Sequence, residues 1–391
     1  MKILVSGAGI AGSAATLFLR AGGHDVVTVD SAPAFHRLGY MLSLKYFGLG
    51  IMKTLGLLDD LRSHAVPYRV TRIYDARGRL VQEFPAAVVD RVVKGSLFAL
   101  RSDLHHVLFA AADQAVPVRF GVHIAAVEQD WRAVTVTWSD GRMEEFDLVV
   151  IAEGLRSSTR QMLWGDRGFR PFDVIYSATV VDGSHDVPDG VFPLYLAPGT
   201  TVQLFPLPGG QLVIQSYFRG VLRADAPADQ VRTLMHQACR RFPRELRDLV
   251  DRVADDAYIF CDSVGMITLP ELSKGRVVLV GDAAYCPSFL SGMGASMGLL
   301  GATALDRALR VNPTDPGRAL SRYNGLMQPL IAHYDHAAEG NLRLLLTRNA
   351  VRVWWQSWIM RHVSPGLVAK QLGRQHELET SLLEGFGPLE A

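Results

Sequence analysis

Cysteine is scarce in this chain, and apolar runs of membrane-spanning length are missing from it. The three cysteines, Cys239, Cys261 and Cys286, are odd in number and show no C-x-x-C spacing. That argues against a disulfide framework or a zinc site and fits a reducing cytoplasm. With no apolar run long enough to span a bilayer, no membrane is expected as a partner. Charge of one sign is not in excess either: 40 basic residues stand against 39 acidic ones, so no overall field recruits nucleic acid. Internal repeats and low-complexity tracts are absent, as is H-E-x-x-H. His105 and His106 lack a partner at ligand spacing, so they read as ordinary helix residues and no metal is expected.

What is present begins at Lys2. A short apolar run, Ile3-Leu4-Val5, enters Gly7-x-Gly9-x-x-Gly12, continues as Ala14 through Leu19, and finishes in Val26-Val27-Thr28-Val29-Asp30. That is strand, turn, helix, strand. Gly7 allows the tight turn, Gly9 lets the backbone approach a pyrophosphate, and Gly12 lets helix and strand pack closely. The free N–H groups of the helix start then face the phosphates. Asp30, eighteen residues after Gly12, is placed for ribose hydroxyls. A glycine-rich unit that binds nothing is the bland alternative. A signal peptide is a poor reading, since three glycines interrupt the apolar stretch and cleavage would destroy the motif.

Further along, Arg37 sits in a proline-broken stretch, either over phosphates or as a solvated charge. Residues 44–63 read as helix. Val70–Tyr74 and Leu80–Phe84 flank an Asp-x-x-Gly turn and read as a hairpin, the first visit to a second, sheet-based domain. A helix starts near Ser102, followed by strands at Val116–Phe120, Ala125–Gln129 and Ala133–Trp138. The buried-type strand Phe146–Ala152 ends at Glu153-Gly154. Residues 171–263 are strand-rich, with one helix carrying Val231, Leu234, Met235 and Ala238. Gly275–Val280 supplies another buried strand, ending in Gly281-Asp282, and a glycine-rich turn through Gly292, Met293, Gly294 and Ala295 opens a long helix. That is a second anion- or ring-binding helix terminus. Residues 341–363 read as a helix with Leu344, Val351, Trp355 and Trp358 on one face and arginines around it, closing the core or making a dimer contact. A membrane-surface helix is the lesser reading.

Three separated motifs in this order, Gly7-x-Gly9-x-x-Gly12 with Asp30, Glu153-Gly154, and Gly281-Asp282 with its glycine-rich turn, resemble the FAD-dependent aromatic hydroxylases. These are the flavoprotein monooxygenases of the p-hydroxybenzoate hydroxylase type. The resemblance covers about residues 1–335. It implies an α/β fold: a Rossmann-like FAD-binding domain with an inserted, mostly antiparallel substrate sheet and C-terminal helices. Residues 1–67, 96–168 and 266–335 would form the first domain, 68–95 and 169–265 the second, and 336–391 a helical segment. It further implies that Gly7, Gly9, Ala11 and Gly12 seat the pyrophosphate, Asp30 the adenosine ribose, and Arg37 and Arg101 lie along the cofactor. Asp282 would hold the ribityl chain, and the backbone of Gly292, Met293, Gly294 and Ala295 would face the flavin pyrimidine, where helix-start N–H groups stabilise negative charge.

Two departures stand out. The family's Asp-Gly is Glu153-Gly154 here, and its Gly-Gln-Gly carries Met293 in place of glutamine. The resemblance implies FAD as cofactor, NADPH or NADH as co-substrate, and transfer of one oxygen atom by hydroxylation, epoxidation or Baeyer–Villiger insertion. The substrate would be an aromatic or polyketide-like small molecule, in secondary metabolism. Because the flavin carries the difficult chemistry, no side-chain nucleophile is required. Strand alternation puts Val213, Gln215 and Tyr217 on one face, and Tyr195 and Gln203 on the neighbouring run are candidates to join it. Two other readings stay open: an FAD-dependent dehydrogenase, and a flavoprotein using FAD as a structural prop. Flavin halogenases share the fold, but no Trp-x-Trp-x-Ile-Pro segment occurs. Monomer and homodimer are equally compatible with the sequence.

Overall fold

The computed structural model describes residues 1–35, 40–93, 95–165, 168–183, 185–222, 228–254, 257–363 and 377–387. Arg37 lies outside them.

The apolar runs around the first glycine turn are the centre of a six-stranded sheet. Its order is Ser273–Lys274, Val277–Leu279, Leu148–Ile151, Lys2–Ser6, Asp25–Asp30 and Arg119–Phe120. All neighbours pair in parallel except Ser273–Lys274 with Val277–Leu279. Parallel strands covered on both faces need apolar residues on both, and Ile3, Leu4, Val5 and Leu148 through Ile151 are all fully buried. The helices Ile10–Ala21 and Gly294–Val311 join this core. So does a three-stranded antiparallel sheet through Val134, Val136, Trp138 and Phe146. From Lys2–Ser6 the chain order runs outward in both directions, which makes the gap between Lys2–Ser6 and Leu148–Ile151 the topological switch point. Ligands of open α/β sheets bind there, beyond the carboxyl ends of the strands.

Two separate stretches of chain build a seven-stranded sheet. Its order is Phe260–Ile267, Phe169–Val181, Leu212–Arg219, Thr200–Pro206, Val191–Ala197, Val70–Asp75 and Leu80–Pro85. Every pair is antiparallel except Val191–Ala197 beside Val70–Asp75. The helices Ala228–Cys239 and Arg244–Asp251 cover one face, packing Met235 and Leu246 on Val202, Leu204 and Ile214. The opposite face turns toward the six-stranded sheet. Between them runs a two-stranded ladder, Met41–Lys45 with Ser96–Leu100. Leu44 and Ala99 of this ladder belong to the main core, while Met41 packs with Phe192 and Phe205 of the seven-stranded sheet.

Several local expectations change. The strand-rich block 171–263 carries two helices, Ala228–Cys239 and Arg244–Asp251, where one was expected. Residues 44–63 are not one helix: the end of Met41–Lys45 is followed by Tyr46–Thr54 and Leu58–Ser63. Gly56, at φ +73°, takes the left-handed conformation that breaks them apart. Of Val116–Phe120 only Arg119–Phe120 is a strand. The tail is two helices, Pro316–Leu345 and Ala350–His362, the second capped by the Asn349 side chain accepting the Arg352 N–H. No described helix is long and apolar enough to cross a membrane.

Candidate active site between the two sheets

At the switch point the glycines divide by what surrounds them. A Cβ on Gly7 would lie 2.4 Å from the Ala152 carbonyl oxygen, and one on Gly12 would lie 1.8 Å from that of Gly7. Both are fixed by the protein's own packing. Gly7 also sits at φ +102°, which a side chain resists. A Cβ on Gly9 would meet no protein atom within 4 Å. Gly9 therefore leaves room for something that is not protein, at the start of the helix Ile10–Ala21. Ala11 is close-packed on the far side of the turn: a Cβ on Gly281 would come within 2.5 Å of its methyl group, and one on Gly298 within 3.3 Å.

The turn is held from three directions. Asp30 accepts the N–H of Ala8 at 2.8 Å through one carboxylate oxygen and that of Ala32 at 2.8 Å through the other. His105 donates from Nε2 to the Ala8 carbonyl at 2.8 Å. Its pKa is lowered by burial, so the ring is a neutral donor. An ordinary helix histidine is what the sequence suggested. The structure makes His105 a brace for the glycine turn, which spacing within one helix does not reveal. The third support is Glu153. Its Oε1 accepts from Ser6 Oγ at 2.6 Å and Thr159 Oγ1 at 2.8 Å. Its Oε2 accepts from Ser157 Oγ at 2.7 Å and the Thr159 N–H at 3.1 Å. Glu153 thus ties the ends of two central strands to the next helix start, and Gly154 and Leu155 follow it into the cavity wall.

A cavity of about 520 Å³ opens between the two sheets. Its wall on the side of the six-stranded sheet includes Gly9, Ala11, Arg101, Gly281, Asp282, Gly292, Gly294 and Ala295, residues far apart in sequence. Arg101 begins the helix Arg101–Ala115 and places its guanidinium 5.7 Å from the Tyr40 ring centroid. Burial pushes the Asp282 carboxyl above its ordinary range, while the nearby Arg101 and a hydrogen bond from Cys286 pull it back. Met293 does not share this wall. Its side chain is 4% exposed within the main core, and its N–H donates to Ser291 Oγ at 3.1 Å. The turn therefore offers the cavity the backbone of Gly292, Gly294 and Ala295, and methionine fills core space instead of presenting a functional group.

The opposite wall is the inner face of the seven-stranded sheet: Tyr176, Gln203, Phe205, Gln215, Tyr217, Phe260 and Asp262, with Tyr40 and Phe98 from the adjoining segments. Gln203 and Gln215 are direct cross-strand partners. Gln215 Oε1 accepts the Met41 N–H, which anchors the sheet to the two-stranded ladder and leaves the amide N–H₂ group for the cavity. Tyr176 and Tyr217 pack at 4.8 Å, and Tyr40 sits edge-on to Tyr176 at 5.4 Å. Burial raises the pKa of all three phenols, so they act as hydroxyl donors and not as bases. Tyr195 falls on the other face. It pairs with Val202, stacks on Tyr74 at 5.1 Å, and packs against the helix-covered cluster, so it is no part of this wall. At the rim, Arg156 and Asp262 form an ion pair between the two walls. Tyr40, Tyr176 and the Arg156–Asp262 pair carry no sequence signal, because only the tertiary fold brings them together.

These features fit FAD. Space free of protein atoms stands over Gly9 at a helix start. The half-buried carboxyl of Asp282 faces the cavity with few hydrogen bonds of its own. The buried Ser43 Oγ on the cavity wall has no hydrogen-bond partner. Residues 1–315 match the family model described as FAD binding domain. The FAD-dependent monooxygenase asL6 of Sarocladium schorii is 30% identical over 370 residues, covering 85% of each chain. The chain belongs to the FAD-dependent monooxygenases. It is similar in structure to the tetracycline destructase Tet(51), at 25% identity and a TM-score of 0.75 over 95% of this chain and 98% of that one. Klebsiella pneumoniae HpxO, in complex with FAD and uric acid, shares the fold at 19% identity, with a TM-score of 0.84 over 96% and 97% of the two chains.

Proposed function

We propose that this monooxygenase inserts one oxygen atom into a large, mostly uncharged aromatic or polyketide-like molecule, with NADPH or NADH as reductant. The observation that carries this reading is a cavity whose walls join the cofactor-type turns to an aromatic sheet face. Among the described residues, the charged side chains on its walls are Arg101, Asp262 and Asp282, with neither histidine nor lysine in the described lining. Asp262 is already engaged by Arg156. A small carboxylate substrate would find little to hold it there, whereas flat rings find Tyr176, Tyr217, Phe205 and Phe260. That Tet(51) is a tetracycline destructase supports a polycyclic ligand for this chain as well.

When bound, FAD supplies the redox and oxygen chemistry. The protein's part is binding and placement. The N–H groups at the start of Ile10–Ala21 would take the pyrophosphate, Asp282 would take ribityl hydroxyls, and Arg101 would pair with the phosphates. Gly294 begins the helix Gly294–Val311, and the free N–H groups there would favour negative charge on a bound flavin ring. Across the cavity the amides of Gln215 and Gln203 are placed to hold carbonyl or phenol oxygens of the substrate, with the tyrosine and phenylalanine rings excluding water around it. The protein carries no covalent nucleophile in this scheme.

The test is turnover under ¹⁸O₂ with NADPH or NADH and a panel of tricyclic and tetracyclic phenols, small benzoates serving as the contrast. Product heavier by one labelled oxygen for a polycyclic phenol, and not for benzoates, is the expected result. Reduction and reoxidation without label in any product would favour the dehydrogenase reading and overturn this one.

A further inference from the structure

The helix Ala350–His362 is built inside out. Its apolar residues fall at i, i+3, i+4, i+7 and i+8, the spacing of a core-facing stripe, yet they point to solvent. Val351 is 65% exposed, Trp354 55%, Trp355 50%, Trp358 43% and Ile359 49%. The side that meets the protein is Val353, Gln356, Ser357 and Met360. Met360 packs on the cluster of Ile73, Val81 and Leu196. Arg361 pairs with Asp75 at 2.9 Å and Gln82 donates to the Val363 carbonyl at 3.3 Å, so the helix is clamped with its tryptophans outward. Trp355 lies edge-on to both neighbours, at 5.3 and 5.5 Å, and His362 covers Trp358 at 4.4 Å. The sequence reading of a helix closing the core is corrected here: the closing side is the more polar one.

The surroundings select what covers this stripe. The helix contains no acidic residue, and exposed Arg348 and Arg352 flank its start with no ion pair among the described residues. Arg361 leads to a turn carrying Arg77 and Arg79. That turn abuts Pro243 through Gly78, at the edge of a cleft lined by Arg240, Arg244 and Arg247, with Asp248 and Asp251 beside them and Asp248 paired to Arg244. Apposing two copies of this face would set arginines against arginines, whereas an anionic surface neutralises them. Tryptophan with arginine is the composition that settles at the headgroup level of a bilayer.

We propose that this face is an attachment surface for an anionic lipid bilayer, with Trp354, Trp355, Trp358 and Ile359 entering the headgroup boundary and Arg348 and Arg352 meeting lipid phosphates. The protein sits on the membrane without crossing it.

The test is flotation of the full-length holoenzyme with vesicles of phosphatidylcholine alone or mixed with phosphatidylglycerol. Binding to the mixed vesicles, weakened by salt, is expected. Trp354→Ala and Trp358→Ala should each lower the vesicle affinity about tenfold, and Arg348→Gln with Arg352→Gln should remove the salt dependence. All four positions are exposed and outside the cavity, so bound FAD and turnover should be unchanged. No flotation with either vesicle, flotation unaffected by the tryptophan variants, or a dimer in sedimentation that these same variants dissociate would each overturn the proposal.

Discussion

Replacing Glu153 tests the account at the point where this chain departs from its family. Four donors converge on the carboxylate, and their residues are almost fully buried: Ser6 is 3% exposed, Ser157 1% and Thr159 0%. In Glu153→Ala the three hydroxyls can rotate to other acceptors, at about 1 kcal/mol each, but the Thr159 N–H cannot, and an orphaned buried donor costs about 1–3 kcal/mol. The sum is about 4–6 kcal/mol, a large part of the 5–15 kcal/mol typical of a domain. Glu153→Gln keeps the shape. With its N–H₂ turned to the two hydroxyls of Ser6 and Thr159 it loses mainly charge assistance, about 1–2 kcal/mol. Glu153→Asp draws the carboxylate back by about 1.5 Å, one bond length, so it cannot reach all four donors and should fall between the two. Urea unfolding reads the order directly, and FAD titration should weaken in parallel, because Gly154 and Leu155 hang from this residue. Stability of Glu153→Ala within 1 kcal/mol of the parent, or full stability in Glu153→Asp, would refute the reasoning.

Gly9→Ala separates cofactor space from protein packing. Its methyl group meets no protein atom, so unfolding without FAD should be little changed while FAD affinity falls about 10–100-fold by fluorescence titration; Gly12→Ala should instead fail to form the turn at all. Gln215→Leu removes the acceptor of the buried Met41 N–H, and with it the amide facing the cavity. It should cost about 1–3 kcal/mol in unfolding and raise KM, while Tyr195→Phe on the opposite face should leave turnover unchanged. Asp335 accepts from Thr268 Oγ1 at 2.5 Å, but its other oxygen is buried without a partner, and burial raises its pKa from 3.8 to about 6. A carboxyl raised in the fold stabilises most below pH 4 and loses that contribution as pH rises through 6. Asp335→Asn should therefore be more stable than the parent by about 1–2 kcal/mol at pH 8, after discounting for partial exposure, and equal to it near pH 4 in thermal melts.

The gathering of the glycine turns on one cavity wall was legible in sequence because these residues sit in short motifs where spacing and conformation are one problem. A glycine turn between a strand and a helix needs Gly7, Gly9 and Gly12 locally, and the same holds for Gly281-Asp282. The facing aromatic wall was legible in part. Strand alternation placed Gln215 and Tyr217 together, because period two is intrinsic to a strand, but Tyr195 depended on the register between strands. With Tyr195 opposite Val202 and Leu194 opposite Gln203, Tyr195 is sent to the helix side. His105, Tyr40 and the Arg156–Asp262 pair act across distances in sequence that no local pattern encodes. The outward tryptophans of Ala350–His362 mislead for a related reason: periodicity identifies an apolar stripe but not which way it faces.

The most direct test of the central claim is anaerobic stopped-flow reduction of the FAD-loaded protein by NADPH and by NADH, with and without a polycyclic phenol. Reduction by one nucleotide, accelerated when the phenol occupies the cavity and lost in Gly9→Ala through failure to hold FAD, is the expected result. Tightly held FAD that neither nucleotide reduces, with any ligand present, would contradict it and leave FAD as a structural prop.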